Sequence, residues 1–106
     1  MRDFEWCDAE QKVARQAFDT ALKKEHAAVL ARLKALAAKA EHPEDIWAIH
    51  DYLSEQRRMI DAKYDYRYSQ LIVVFGTLLR EKWINDKVLE CLGEEKLQAI
   101  RHIAAF

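Results

Sequence analysis

The fold is decided by residues 8–40, which read DAEQKVARQAFDTALKKEHAAVLARLKALAAKA. Apolar residues recur along this stretch at steps of four, seven, four, three and four, at Phe18, Leu22, Val29, Leu33, Leu36 and Ala40. Such spacing places them on one face of an α-helix. Asp8 followed by Gln11 has the spacing of a capping box, and nothing breaks the pattern before Pro43. The stretch therefore predicts a single helix of about 32 residues.

A helix of that length does not fit inside one compact chain of this size. At the usual rise per residue it is about 48 Å long. A compact globule of 106 residues is only about 34 Å across. Because the apolar stripe of the helix needs cover along its whole length, we expect a second copy of the chain to supply it. The sequence predicts a homodimer with an elongated stem.

A second long helix is predicted after Pro43, which suits a first helical turn and is followed there by the acidic Glu44 and Asp45. One apolar face follows, at Ile46, Ile49, Leu53, Gln56 and Ile60. A bend is expected within residues 64–69, where Asp65 and Ser69 are plausible caps. Helical spacing then resumes through Leu71, Ile72, Phe75, Leu78, Leu79 and Trp83.

The C-terminal part is predicted to hold two short helices. Asn85 is expected to cap the first and Gly93 to end it. The second would span residues 94–105 with Leu97, Ile100 and Ile103 inward. The predicted fold is all-α, a single domain over residues 1–106. It has two long helices forming an elongated dimeric stem (about 8–64) and a small helical head (about 65–106).

Composition narrows the class of protein. Of 106 residues, 51% are hydrophobic and 33% charged, and the net charge is −1, with 17 basic against 18 acidic residues. Spread charges of this kind argue against a nucleic-acid partner, so a helix-turn-helix regulator stays only as a minor alternative. The longest apolar run, 71–76, is too short for a membrane span, which needs about 20 residues.

The cellular compartment is predicted from the cysteines and the first residues. Cys7 and Cys91 lack CxxC spacing, and the opening MRDFEWC does not resemble a signal peptide. A reducing cytoplasm fits best.

Catalytic and metal-binding motifs are not found in the sequence. None of the four histidines follows a glutamate by three residues, and HExxH is absent. No glycine-rich loop is present to hold phosphate, and no serine or threonine lies in a nucleophile motif. We therefore predict a protein that is not an enzyme, with no catalytic residue, no cofactor and no metal.

One residue of the second helix is out of register with the apolar face. Trp47 lies on the opposite side, in a polar stripe formed by Trp47, Asp51, Ser54, Arg58, Asp61 and Asp65 and flanked by His50 and Arg57. The first helix or a second copy of the chain would cover Trp47 if its role were structural. Alternatively Trp47 anchors a partner protein, since Trp and Arg are enriched at binding hot spots. Position alone leaves both interpretations open.

The segment KYDYRYS, residues 63–69, alternates aromatic and charged side chains. Such alternation occurs on nucleic-acid-binding surfaces, but Asp61 and Asp65 lie beside or within it. Packing at the junction of stem and head is the favoured interpretation.

Residues 45–75, DIWAIHDYLSEQRRMIDAKYDYRYSQLIVVF, resemble the fluorescence recovery protein family of cyanobacteria and its relatives in other bacteria. The family pattern W-x-x-H-D-x-L-S, an Arg, then I-D-x-K-Y-D-x-R is matched in fixed register. The matching residues are Trp47, His50, Asp51, Leu53, Ser54, Arg57, Ile60, Asp61, Lys63, Tyr64, Asp65 and Arg67. These matches are specific but cover about a third of the chain.

The resemblance implies a non-enzymatic helical dimer. Such proteins bind the photoactivated orange carotenoid protein, mainly through its C-terminal domain, and speed its return to the resting form, which ends quenching of the phycobilisome. It also implies that Trp47, His50, Asp51 and Arg57 form the partner-binding site. In a cyanobacterium the protein would then act in the cytoplasm, beside phycobilisomes at the thylakoid.

One position departs from the cyanobacterial pattern. Val73 stands where those members have an aromatic residue in the head. Relatives also occur in bacteria without this photoprotection system. The alternative is therefore a homologous helical dimer that serves as adaptor or regulator for an unrelated partner protein.

Overall fold

The computed structural model describes residues 4–106, which form four α-helices and one 3₁₀ helix. In chain order these are α1 (Asp8–Lys39), α2 (Pro43–Lys63), α3 (Leu71–Arg80), the 3₁₀ helix (Asp86–Leu92) and α4 (Glu94–Ala104). No strand occurs over the described residues. The all-α prediction is confirmed, and LIVVF lies in α3 as expected.

The first helix has the predicted length of 32 residues, but its predicted cap is wrong by one position. Cys7, not Asp8, is the N-cap, and its backbone N–H donates to Glu10 Oε1 at 3.0 Å. Glu10 also accepts a hydrogen bond from Lys96 Nζ of α4 at 2.9 Å. The Cys7 N–H and Lys96 hold the pKa of the Glu10 carboxyl below its ordinary value. The tertiary contact with Lys96 therefore supports Glu10 as the capping acid.

The turn between α1 and α2 is built as the sequence predicts. Pro43 occupies the first turn of α2. Two residues later, Asp45 Oδ2 accepts the backbone N–H groups of Glu41 and His42, each at 2.9 Å. These two donors lower the pKa of the Asp45 carboxyl. A carboxylate at this helix end satisfies orphan donors and fixes the direction in which the chain turns back.

The hydrophobic core lies at one end of the molecule. It combines Trp6, the first half of α1, α3, the 3₁₀ helix and α4. The buried residues of α1 all fall between Ala14 and Glu25, so the second half of α1 extends beyond the core. The chain measures 53 × 24 × 23 Å, and its radius of gyration is 16.7 Å. A compact chain of this length would have about 13 Å, so the fold is elongated.

Helix α3 ends earlier than the apolar pattern predicted. It stops at Arg80, whereas the spacing continued to Trp83. Lys82 has a φ of 69°, and the N–H groups of Lys82 and Trp83 donate to the carbonyls of Leu79 and Leu78. These paired bonds form a Schellman motif, whose left-handed position is usually glycine. A lysine there gives no stop signal in the sequence.

Helices α3 and α4 approach most closely at Gly76. A Cβ built on Gly76 would lie 2.4 Å from both Cβ and Cγ2 of Ile103. Gly76 is therefore needed for its lack of a side chain, within a helix where glycine is otherwise unfavourable.

The remaining predicted boundaries of the head are confirmed. Asn85 Oδ1 accepts the N–H of Val88 at 3.2 Å, and Gly93 ends the 3₁₀ helix with a φ of 86°. Leu97 and Ile100 of α4 are buried and Ile103 is half-buried, so all three face inward as predicted. Over residues 4–106, no helix combines the length and apolar character needed to cross a membrane.

Replacing Gly76 with alanine should destabilise the protein although it raises helix propensity. The propensity gain is about 1 kcal/mol, whereas overpacking of a core costs roughly 1–3 kcal/mol. We expect the free energy of unfolding in urea, measured at fixed protein concentration, to fall by about 1 kcal/mol, which is the cost of overpacking less the gain in helix propensity. In the double variant Gly76→Ala/Ile103→Ala, the loss should be smaller than the sum of the single losses. An unchanged or higher stability of Gly76→Ala would contradict the close approach.

Replacing Lys82 with glycine should have the opposite sign. The left-handed conformation costs an ordinary residue roughly 1–2 kcal/mol, and glycine adopts it freely. We expect Lys82→Gly to unfold at a higher urea concentration, whereas Lys82→Ala should not. Equal midpoints for the two variants would argue against the Schellman assignment.

Candidate functional site

Helix α2 is attached to the rest of the chain along an incomplete apolar face. Ile60 is its one buried residue, and Ile49, Leu53 and Gln56 are half-buried. Ile46, predicted on the same face, is 58% exposed. The N-terminal turns of α2 therefore carry apolar surface that the single chain does not cover.

Trp47 lies on the solvent side of α2 with 64% of its surface exposed. This exposure rules out the interpretation in which α1 covers the indole. An indole left in water is unfavourable, because burying an aromatic side chain contributes about 1.5–3 kcal/mol. Trp47 is thus available either to a second copy of the chain or to another protein.

His50 and Asp51 project beside Trp47 and are themselves exposed. His50 Nδ1 lies 3.5 Å from Asp51 Oδ1, at the limit of a hydrogen bond, and the side chains are 68% and 83% exposed. A contact this long and solvated does not make the pair a working base and its orienting acid. Both groups remain free to exchange solvent for polar groups of a partner.

Arg57 is the less engaged of two neighbouring arginines. Its Nε lies 3.7 Å from Asp61 Oδ2, with the side chains 85% and 71% exposed. The next residue, Arg58, donates from Nε to Glu55 at 3.1 Å, and this hydrogen bond raises the pKa of Arg58. Exposed ion pairs such as Arg57–Asp61 contribute little to stability. Arg57 can therefore leave Asp61 and bind a partner with little loss of stability.

Together these positions form one surface. Trp47, His50, Asp51 and Arg57 are all exposed on α2 and span about 15 Å along its axis. An exposed aromatic side chain that shares a helix with an exposed guanidinium, imidazole and carboxylate suits recognition of a protein surface with both apolar and charged groups.

The aromatic segment after α2 packs against α1. The Phe18 ring meets Tyr64 and Tyr66 edge to face, with centroids 5.3 and 4.9 Å apart. The Arg15 guanidinium lies 4.5 Å from the centroid of Tyr66. Burial raises the pKa of both Tyr64 and Tyr66. These contacts support the structural interpretation of KYDYRYS over the nucleic-acid one.

Other features of the molecule lie apart from this surface. Residues 4–106 contain no group of three or more His, Cys, Asp or Glu arranged to hold a metal ion. A groove of about 760 Å³ runs between α1 and residues 79–88, lined in part by Val13, Lys24 and Trp83. No residue of the polar stripe lines it.

One charged group beneath the surface could not be predicted from the sequence. Glu25, in the middle of α1, is only 8% exposed and meets Lys63 and Tyr64 from the end of α2. These residues are 38 and 39 positions away in sequence. The packing of α1 against the end of α2 brings Glu25 together with Lys63 and Tyr64.

Known proteins resemble this chain in sequence and in fold. Residues 6–104 match the family described as photoprotection regulator fluorescence recovery protein. The chain is 36% identical to the fluorescence recovery protein of Synechocystis sp., over 93% of this chain and 91% of that protein.

Solved structures of fluorescence recovery proteins have the same fold. That of the Fremyella diplosiphon protein superposes with a TM-score of 0.92 at 38% identity, covering 96% of this chain and all of that one. That of the Synechocystis sp. PCC 6803 protein gives the same TM-score and coverage at 35% identity. With its fold and nearly its whole length matched, the chain belongs to the fluorescence recovery protein family of photoprotection regulators.

Proposed function

We propose that this protein is a non-enzymatic regulator that binds the photoactivated orange carotenoid protein, mainly at its C-terminal domain, and accelerates its return to the resting form. Quenching of the phycobilisome would then end, and the site of action would be the cytoplasm. The observation that carries the proposal is the exposure of Trp47, His50, Asp51 and Arg57 together on α2. Membership of the family supports the choice of partner.

The roles of the four residues follow from their chemistry. Trp47 supplies apolar area and would be the anchor that leaves water on binding. Arg57 supplies a guanidinium that can bind a partner carboxylate through two hydrogen bonds. Asp51 offers a carboxylate to cationic or backbone donors, and His50 shapes the surface beside it.

Acceleration requires unequal affinity for the partner's states. A protein that bound the open and closed arrangements equally well would shift nothing. The polar stripe must therefore hold the closing arrangement, or the transition state that leads to it, more tightly than the open one. Binding that favours this state by about 1.4 kcal/mol speeds the return tenfold.

We further propose that the working form is a homodimer. Leu30 of α1 and Ile46 of α2 are 50% and 58% exposed, and both lie outside the core. A second copy of the chain would present the same surface in return, as twofold interfaces do.

The partner can be tested directly by mixing this protein with photoactivated orange carotenoid protein in the dark. We expect the absorbance change from red to orange to become about tenfold faster at saturating regulator. An unchanged rate would reject this partner. The alternative function, that of an adaptor or regulator for an unrelated protein, would then remain. Val73, which replaces the aromatic residue of cyanobacterial members, is the feature that favours that alternative.

Truncation of either anchor should weaken partner binding. For Trp47→Ala and Arg57→Ala we expect about thirtyfold weaker affinity, the loss typical of a hot spot. Affinity would be measured by calorimetry after the mass and helical content of each variant have been verified.

The matched control is Arg80→Ala, which removes an exposed arginine from the last turn of α3, away from the polar stripe. This variant should bind like the unaltered protein. Intact variants of Trp47 or Arg57 that keep full affinity would remove that residue from the site. Loss of the native mass or helicity in Trp47→Ala would instead assign the indole to the dimer contact.

A further inference from the structure

The buried carboxylate of Glu25 in α1 accepts hydrogen bonds from two residues at the C-terminal end of α2. Lys63 Nζ donates to Glu25 Oε2 at 2.7 Å, and the Tyr64 hydroxyl donates to Glu25 Oε1 at 2.8 Å. Lys63 Nζ also donates to Glu81 Oε1 at 2.7 Å. We call these four residues the Glu25 cluster. Both carboxylate oxygens of Glu25 are thus satisfied, as a carboxylate 8% exposed requires.

The cluster lies where three elements meet. Glu25 is on α1, Lys63 is the last residue of α2, and Glu81 follows α3. Tyr64 begins the irregular segment that leads from α2 to α3, and its ring packs on Phe18. The Lys63 side chain is 14% exposed, so its ammonium is held among these groups rather than in water.

Within the single chain, few buried contacts fix the position of α2, whose Ile49, Leu53 and Gln56 are only half-buried. Ile60 is the one buried residue among its 21, and it lies one turn before Lys63. The N-terminal end of α2 follows the short connection after Lys39, and Ile46 in its first turn is exposed. The C-terminal turn of α2 is therefore its main attachment to the core, and a rotation there would move the side chains of the polar stripe from Trp47 to Asp61; Asp65, predicted in the stripe, lies beyond the end of α2.

We propose that Lys63 and Glu25 are positioning residues, which fix the rotation and tilt of α2 and so present Trp47 and Arg57 to the partner. The effect on partner binding rests on the proposed function, whereas the contacts of the Glu25 cluster do not depend on it. A buried ion pair is a weak source of stability but specifies one arrangement, because its hydrogen bonds are directional and an unpaired buried charge is costly. Apolar contacts at Ile60 and at the half-buried Ile49 and Leu53 are not directional and permit neighbouring rotations.

The distinguishing variant replaces both charges. Glu25→Gln/Lys63→Met leaves no unpaired buried charge, and Gln retains an oxygen that can accept from Tyr64. Its free energy of unfolding should stay close to that of the unaltered protein, whereas Lys63→Met alone should be less stable. The control is Lys87→Met, which removes an exposed lysine from the 3₁₀ helix.

Two measurements on the full chain test positioning. Amide hydrogen exchange in α2 should be roughly 5- to 30-fold faster in the double variant, while exchange in α3 and α4 is unchanged. Affinity for photoactivated orange carotenoid protein should fall by a similar factor, with the mass and helical content intact. Normal exchange in α2 together with normal affinity in the double variant would overturn the inference, as would exchange that becomes faster by the same factor in α2 and α3.

The two proposals fail differently. If the unaltered protein does not bind the photoactivated orange carotenoid protein, the proposed function fails. The exchange of α2 amides in the free protein still decides whether the Glu25 cluster holds the helix. If the unaltered protein binds and the double variant binds equally well, the positioning role alone is rejected.

Discussion

The length of α1 is the constraint on which the rest of the structure depends. Its 32 residues extend past a core that buries only positions between Ala14 and Glu25. A second half of regular helix, with Leu33 and Leu36 half-buried, projects from that core and carries α2 back along it. Since helices in water owe most of their stability to packing of an apolar face, such a projection calls for cover beyond the single chain.

The same constraint explains how a small protein can hold an open binding surface. The molecule is 53 Å long, and its core, with the close-packed α3 and α4, lies at one end. The exposed residues proposed for binding lie on α2, outside that core. Helix α2 contributes one buried residue, Ile60, so its solvent side with Trp47 is left for recognition. The cost of that arrangement is a helix with few fixed contacts. Directional bonds from Lys63 and Tyr64 to Glu25 offset it at the one place where α2 reaches the core.

Much of the fold follows from local signals in the sequence. Pro43, Asn85 and Gly93 each mark a boundary through backbone chemistry that does not depend on tertiary contacts, and α1 follows from uninterrupted periodicity. Errors arose where tertiary structure intervened. Glu10, which also accepts a hydrogen bond from Lys96 of α4, caps the helix at Cys7, and Lys82 adopts a left-handed conformation that is usually taken by glycine.

The candidate site divides in the same way. The position of Trp47 opposite the apolar face follows from the helical angle, so the sequence could predict that the core face of α2 does not bury it. Whether another helix covers Trp47 could not be decided from that angle. The contact of Glu25 with Lys63 could not, because it joins residues 38 positions apart through the packing of two helices. The roles of Trp47, His50, Asp51 and Arg57 in binding remain predictions of the family resemblance and of their exposure.

The central claim is that a second copy of the chain covers the projecting part of α1 and α2. Sedimentation equilibrium of the full chain at micromolar concentration tests it most directly, because it measures mass independently of the elongated shape. The account predicts a mass about twice the 12.5 kDa of one chain. A mass of 12.5 kDa persisting at tens of micromolar would contradict it.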